Sequence, residues 1–134
     1  MKKFDPQIYP RTLFILDDIE ELKFFESRNE GEELSEGDNN AASVWIVVEK
    51  ETQDYCVVAY FKKMRFDLIA HESVHIANSI FNDCGVDFDY DHDEHFAYMV
   101  GWVAKCIGEA LGLTIVKENS YDIQREKNTT EPNR

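Results

Sequence analysis

The sequence predicts a single α+β domain in which a small antiparallel sheet packs against two helices. Two observations support this fold class. Residues 43–49 and 55–61 are rich in β-branched and aromatic side chains and flank a short polar segment, which is typical of an antiparallel hairpin. Two long segments later in the chain carry apolar residues at spacings of three and four, which is typical of amphipathic helices.

Length and composition bound the architecture and the partners. A chain of 134 residues with 43% hydrophobic residues suits one domain, which we assign to residues 1–116. Residues 117–134 lack a periodic apolar set and are expected to form a mobile tail. The formal net charge of -13 argues against direct binding to nucleic acid or anionic lipid, because the average field repels both. Three cysteines without a CxxC pair, and no apolar run of membrane-spanning length, predict a cytoplasmic protein without a membrane partner.

The first elements follow directly from short patterns. Residues 12–16 form an apolar run that predicts a strand. The segment DDIEELKFFE, residues 17–26, predicts a short helix capped by Asp17 or Asp18. Residues 26–40 are dominated by acids, Gly and Asn, and predict a solvated loop before the hairpin.

Two helices complete the predicted domain. The first is expected over residues 65–84, with Gly85 as its C-terminal stop. The second is expected over residues 91–111, where Gly112 ends the apolar periodicity. The candidate chemistry lies on these two helices.

The stretch AHESVHIANSIF, residues 70–81, contains an HExxH motif formed by His71, Glu72 and His75. On a helix, residues four apart differ by about 40° in azimuth and about 6 Å in height, so one ion can touch both imidazoles. In zinc hydrolases this motif supplies two imidazole ligands and a carboxylate general base. The alternative is a chance occurrence on a polar helix face. The motif predicts a Zn²⁺ site with His71 and His75 as ligands and Glu72 as the catalytic base.

A catalytic zinc ion usually takes three protein ligands, so a third ligand must come from another segment. Glu94 is preferred, because on a helical wheel it shares a face with Ala97 and Gly101, whose small size would let the two helices approach closely. Alternatively, Glu94 forms a capping box with Asp91, or the third ligand is His95 or an aspartate of the preceding loop. The full set of downstream candidates also includes Cys84, Asp87, Asp89, Asp91, His92 and Asp93.

HExxH at residues 71–75, followed after an eighteen-residue gap by EHFA at residues 94–97, resembles the gluzincin zinc metallopeptidases. Among small members the pattern is similar to minigluzincins and to the ImmA/IrrE-type peptidases of phages and mobile elements. The resemblance covers about residues 65–111. It implies a zincin-like fold with Glu94 as the third zinc ligand, and a hairpin strand beside a cleft that holds an extended peptide.

These features predict a zinc-dependent peptidase, a hydrolase in which Glu72 takes a proton from metal-bound water and passes it to the departing amine. His95 or Tyr98 is expected to donate a hydrogen bond to the developing oxyanion. Ordinary packing between the helices is the alternative role for Tyr98. A free edge of the hairpin would pair with substrate backbone, unless a loop covers it.

The acidic segment of residues 17–38 gives a prediction about the charge of the partner. It holds ten carboxylates against Lys23 and Arg28, and is ordinarily a solvated face. If it contributes to binding, the peptide or protein substrate is basic. Two non-enzymatic alternatives fit the same composition: an interaction protein with zinc as a structural clamp, or an acidic decoy that mimics nucleic acid on a host protein.

Overall fold

A computed structural model describes residues 2–31, 33–34 and 41–113 of the chain. Within these ranges the protein is an α+β domain with a four-stranded mixed sheet and three helices. The elements in chain order are β1 (Lys2–Phe4), β2 (Thr12–Leu16), α1 (Ile19–Arg28), β3 (Ala42–Val48), β4 (Tyr55–Phe61), α2 (Phe66–Asp83) and α3 (Glu94–Leu111).

The sheet has the strand order β1-β2-β4-β3. The predicted hairpin of β3 and β4 is antiparallel, as expected, and β1 is antiparallel to β2. The prediction of a wholly antiparallel sheet is wrong, because β2 and β4 pair in parallel. The chain passes from β2 through α1 and β3 before it reaches β4, and this long connection lets β4 enter beside β2 in the same direction. β1 was not predicted, since three residues are too few to show a period.

The two faces of the sheet carry separate apolar clusters. Successive side chains of a strand point to opposite faces. On β4, Val57, Ala59 and Phe61 therefore belong to the cluster beneath α2 and α3. Val58 and Tyr60 belong to the cluster on the other face, which includes residues of α1. The described part of the chain is thus layered, with α1 on one face of the sheet and the α2–α3 pair on the other.

Helix α2 confirms the predicted first long helix to within one residue at each end. Its Ile76 and Ile80 are fully buried against the sheet. Gly85 follows its C-terminus with φ of 73°, in the left-handed region that favours glycine.

Helix α3 begins at Glu94, three residues later than predicted, and ends before Gly112, whose φ of 71° is again left-handed. Its N-cap is Asp93, which makes no side-chain capping hydrogen bond. The capping box of Asp91 with Glu94 is therefore wrong. Asp91 instead lies in the preceding turn, where its backbone N–H donates to Asp89 Oδ1 over 2.9 Å.

The predicted cap at the start of α1 is confirmed, whereas the prediction of a solvated loop after α1 is wrong in part. Asp18 caps the helix by accepting a hydrogen bond of 2.8 Å from the Glu20 backbone N–H. The segment after α1 is not wholly solvated, because Leu34 is only 4% exposed and belongs to the cluster of the α1 face. Residues 35–40, the last three residues of the predicted domain (114–116) and the predicted tail over 117–134 lie outside the described residues. Of the described helices, none is both long enough and apolar enough to cross a membrane.

Candidate functional site

Helix α2 brings the two histidines of the HExxH motif together. His71 Nε2 and His75 Nε2 lie 3.1 Å apart, with ring centroids separated by 4.7 Å and ring planes at 64°. Two imidazole nitrogens bound to one tetrahedral zinc ion, each about 2.0–2.1 Å from the metal, are about 3.3 Å apart. Both rings are exposed to solvent. The separation of the two nitrogens is therefore close to that of two ligands of one tetrahedral ion, and it is also that of a hydrogen bond between the two rings.

Glu72 lies on the buried flank of α2, next to the histidines. Its side chain is only 7% exposed, because it sits one turn before the fully buried Ile76. It nevertheless faces a cavity of 450 Å³ that also contains the two imidazoles. The residues lining this cavity, here called the HExxH cavity, are Ala42, Ser43, Val44, Trp45, His71, Glu72, His75 and Ser79.

The wall opposite α2 is the beginning of β3, the strand at one end of the sheet. At its far end the outer edge of β3 is covered, because Val48 O accepts a hydrogen bond from the Glu30 N–H and Val48 N–H donates to Asn29 Oδ1. Among the described residues, segment 42–45 has backbone pairing to β4 alone. Within the described residues, the alternative of a covered edge is confirmed at Val48, and no described residue pairs with the outer edge of segment 42–45. Segment 42–45 lines the HExxH cavity.

The third ligand is the part of the predicted site that the geometry does not assemble. In the portion of the chain that the structure describes, no group of three or more His, Cys, Asp or Glu side chains is placed to hold a metal ion. Glu94 instead lines a separate cavity of 620 Å³ with its neighbours on the connection and the first turn of α3. Glu94 lies about 180° around the helix from Val103, which is fully buried, so its side chain points away from the sheet.

The predicted close approach of two helices along the Glu94 face is wrong. Ala97 and Gly101 are both exposed. A Cβ atom added to Gly101 would meet nothing within 4 Å. The small residues at these positions therefore do not lie at a helix–helix contact.

α3 also packs against a flank of α2 that does not carry the two histidines. The Phe81 ring of α2 contacts Phe96 and His95 of α3, at centroid distances of 5.7 and 5.5 Å. Phe81 lies about 120° around α2 from His75. The two histidines thus face β3 on one flank of α2, whereas α3 packs on another flank.

His95 and Tyr98, the predicted oxyanion donors, lie outside the HExxH cavity. They line a groove of 420 Å³ beside the loop that follows β1. Tyr98 is 73% exposed, so the alternative of interhelical packing is wrong as well. In the connection before α3, His92 Nδ1 lies 2.9 Å from Asp89 Oδ2, and this hydrogen bond lowers the pKa of the Asp89 carboxyl.

Sequence reasoning missed several lining residues of the HExxH cavity. Ser79 continues the four-residue spacing of His71 and His75, so the helical wheel alone contained the signal for it. Ser43 and Trp45 come from β3, and no local pattern indicates which helix that strand faces. Comparison of the chain with protein-family models, with curated proteins and with solved structures found no significant match.

Proposed function

We propose that the protein is a zinc-dependent peptidase of the zincin type, in which His71 and His75 hold the metal and Glu72 is the general base. One observation supports this most directly. The three side chains of HExxH line a single cavity, with the histidine nitrogens 3.1 Å apart, opposite segment 42–45 of an edge strand, which among the described residues pairs with β4 alone. A metal-binding pair, a base and a backbone edge for an extended peptide are the parts that such a hydrolase needs.

A bound zinc ion would supply a Lewis acid and a bound water of lowered pKa. Glu72 lies directly after His71 in the chain, where its carboxylate would take a proton from water and return it to the departing amine. Because Glu72 is 7% exposed, its interactions act in a poorly solvated setting and are stronger than at the surface. Segment 42–45 would align the substrate backbone by main-chain hydrogen bonds.

Glu94, the proposed third zinc ligand, does not line the HExxH cavity. Glu94 would complete the site only if the first turn of α3 changed position on metal binding, since its side chain now lies on the exposed face of α3. Without that change, water or substrate would fill both remaining positions of the metal. The zinc content of Glu94→Gln distinguishes the two arrangements.

A structural clamp is the weaker alternative. Structural zinc sites are closed by four protein ligands and tie separate segments together. Both histidines here lie on α2, four residues apart, so a metal bound to them alone would link no second element.

Zinc stoichiometry after exhaustive dialysis tests the metal site. We expect about one zinc per chain in the wild-type protein and a loss of at least tenfold in affinity for His75→Ala, because one imidazole is a poor site for zinc. His92→Ala is the matched control, since His92 is an exposed histidine that bonds to Asp89 and lies outside the HExxH cavity. Equal zinc binding by the His75 and His92 variants would refute the site.

Turnover of a quenched fluorescent peptide library tests the reaction. Glu72→Gln keeps the shape of the side chain and removes the base, so zinc binding should persist while cleavage falls by at least a hundredfold. If the wild-type protein and the Glu72→Gln variant both bind zinc and neither cleaves peptide, the proposed metal site stands and the proposed peptidase is refuted. A protein without zinc would leave the acidic decoy as the better explanation.

A further inference from the structure

A second concave surface lies between the loop after β1 and the first turns of α3. We call it the α3 groove; its volume is 420 Å³. It shares no lining residue with the HExxH cavity. The residues lining the α3 groove are Asp5, Pro6, Gln7, Ile8, Tyr9, His95, Tyr98, Met99 and Trp102.

The walls of the α3 groove expose large apolar side chains. Ile8 is 82% exposed and Tyr98 is 73% exposed, and they line the same groove from the loop and from α3. Trp102 is half-buried beside them. Single exposed apolar residues are ordinary, but a group of them in a concave surface is typical of a binding site.

The rim of the α3 groove is acidic. Asp5 lies in the groove itself. The neighbouring cavity of 620 Å³ shares His95 and Tyr98 with the groove and adds His92 and the carboxylates of Asp91, Asp93 and Glu94. Within the described ranges, neither cavity is lined by a lysine or an arginine. The local field therefore favours a cationic occupant, in the same direction as the formal net charge of -13.

The groove is held in shape by contacts on both sides. Asp5 Oδ1 accepts a hydrogen bond of 2.8 Å from the Gln7 backbone N–H, and Tyr9 O accepts one of 2.8 Å from the Arg11 N–H. On the helix side, the His95 ring packs against Phe81. A surface that is ordered before binding loses less conformational entropy when a partner arrives.

We propose that the α3 groove docks a basic peptide segment of a partner protein. An apolar side chain of that segment inserts between Ile8 and Tyr98, and its Lys or Arg side chains lie beside Asp5, Asp91 and Asp93. The occupant is a peptide rather than a small cation, because the site combines an apolar groove with carboxylates on one side. This interaction is independent of the proposed zinc chemistry.

Fluorescence anisotropy with a short labelled peptide built from Lys and Trp tests the apolar part. We expect binding by this probe, and loss of binding when every Lys is replaced by Glu or every Trp by Ser. Tyr98→Ala and Ile8→Ser should each weaken the affinity about tenfold, as buried aromatic and aliphatic anchors do at interfaces. Phe66→Ser is the matched control, since Phe66 is 71% exposed and lies outside the α3 groove. Equal weakening by all three variants would refute the groove.

A charge-matched pair of variants tests the acidic rim. Asp91→Asn with Asp93→Asn should weaken the probe at least fivefold at low salt, and Asp17→Asn with Glu51→Gln, which changes the net charge equally at exposed positions elsewhere, should weaken it less than twofold. Equal losses would mean that bulk charge attracts the probe, and would overturn the proposal. Amide chemical-shift changes confined to regions other than residues 5–9 and 95–102 would also overturn it. His75→Ala should leave the affinity unchanged, so failure of the zinc proposal and failure of this one are separable.

Discussion

Two glycines of α3 provide a matched test of how this helix packs. Gly101 is exposed, and a Cβ atom added there would meet nothing within 4 Å. Gly108 is buried, and a Cβ atom added there would lie 2.7 Å from the backbone oxygen of Leu113. The Leu113 N–H donates back to Gly108 O over 2.7 Å, which fixes the terminal turn against that glycine. Replacement by alanine should therefore have opposite effects at the two positions.

The expected change in the free energy of unfolding has two parts. A helix-propensity gain is the same at both glycines, and a steric cost arises at Gly108 alone. Alanine is favoured over glycine in a helix interior by about 1 kcal/mol, so Gly101→Ala should raise the free energy of unfolding by about that amount. For a domain of this size the melting temperature should rise by roughly 3–5 °C. Gly108→Ala receives the same gain but adds the overpacking cost of about 1–3 kcal/mol. The shared gain cancels in the difference, so Gly101→Ala should exceed Gly108→Ala in stability by about 1–3 kcal/mol.

Urea unfolding followed by circular dichroism measures this difference. A destabilised Gly101→Ala variant would refute the placement of α3, because it would mean that the face carrying Glu94 packs against a neighbour. That is the arrangement that Glu94 needs to reach the two histidines. An equal gain at both positions would refute the tight terminal turn at Gly108.

The remaining predictions concern one half-buried thiol, one buried thiol and one ion pair. Burial raises the pKa of Cys56 to about 11 and that of Cys106 to about 12, so iodoacetamide at pH 8 should alkylate both slowly until urea unfolds the chain. Because both pKa values lie above the unfolded pKa of about 8.5, the stabilisation from keeping these thiols protonated is complete below that pH. It is lost as the pH rises to about 11 for Cys56 and about 12 for Cys106. The double alanine variant should flatten that part of the pH profile of stability. Arg11, just before β2, forms an ion pair with Asp83 at the end of α2, and their side chains are 20% and 24% exposed. A double-mutant cycle with Arg11→Gln and Asp83→Asn should give a coupling energy of about 1 kcal/mol. This coupling energy should decrease as the salt concentration rises.

The elements were predictable where the local pattern was strong. The β-branched and aromatic runs predicted β3 and β4, and glycines with positive φ ended α2 and α3 at the predicted places. The parallel pairing of β2 with β4 was not predictable in the same way. It depends on how α1 carries the chain across the sheet, and no short window of sequence contains that information.

In the candidate site, too, the contact within one helix was predictable and the contact between two helices was not. The spacing of His71 and His75 specified their contact, because both lie on one helix whose geometry is known in advance. The assignment of Glu94 required a statement about two helices. A helical wheel gives the azimuth of each residue, but the flank on which α3 packs is decided by contacts such as that of Phe81 with Phe96. Those contacts join residues fifteen positions apart, and a helical wheel does not predict them.

The burial of Glu72 is the feature that a purely structural account of α2 leaves unexplained. Glu72 as a whole is 7% exposed although its carboxylate lies at a cavity, and an apolar residue at this position would extend the packing of Ile76 into the wall of that cavity. A helix serving only the core gains no packing from an acid here, whereas the proposed peptidase requires one. We therefore expect Glu72→Met to raise the free energy of unfolding by about 1 kcal/mol while abolishing cleavage, the trade-off between stability and activity found at active sites. Urea unfolding of Glu72→Met beside Val74→Met, a substitution on the exposed side of the same helix, measures it. A Glu72→Met variant less stable than the wild type would show that the carboxylate serves the fold, and the strongest structural argument for its role as a base would be lost.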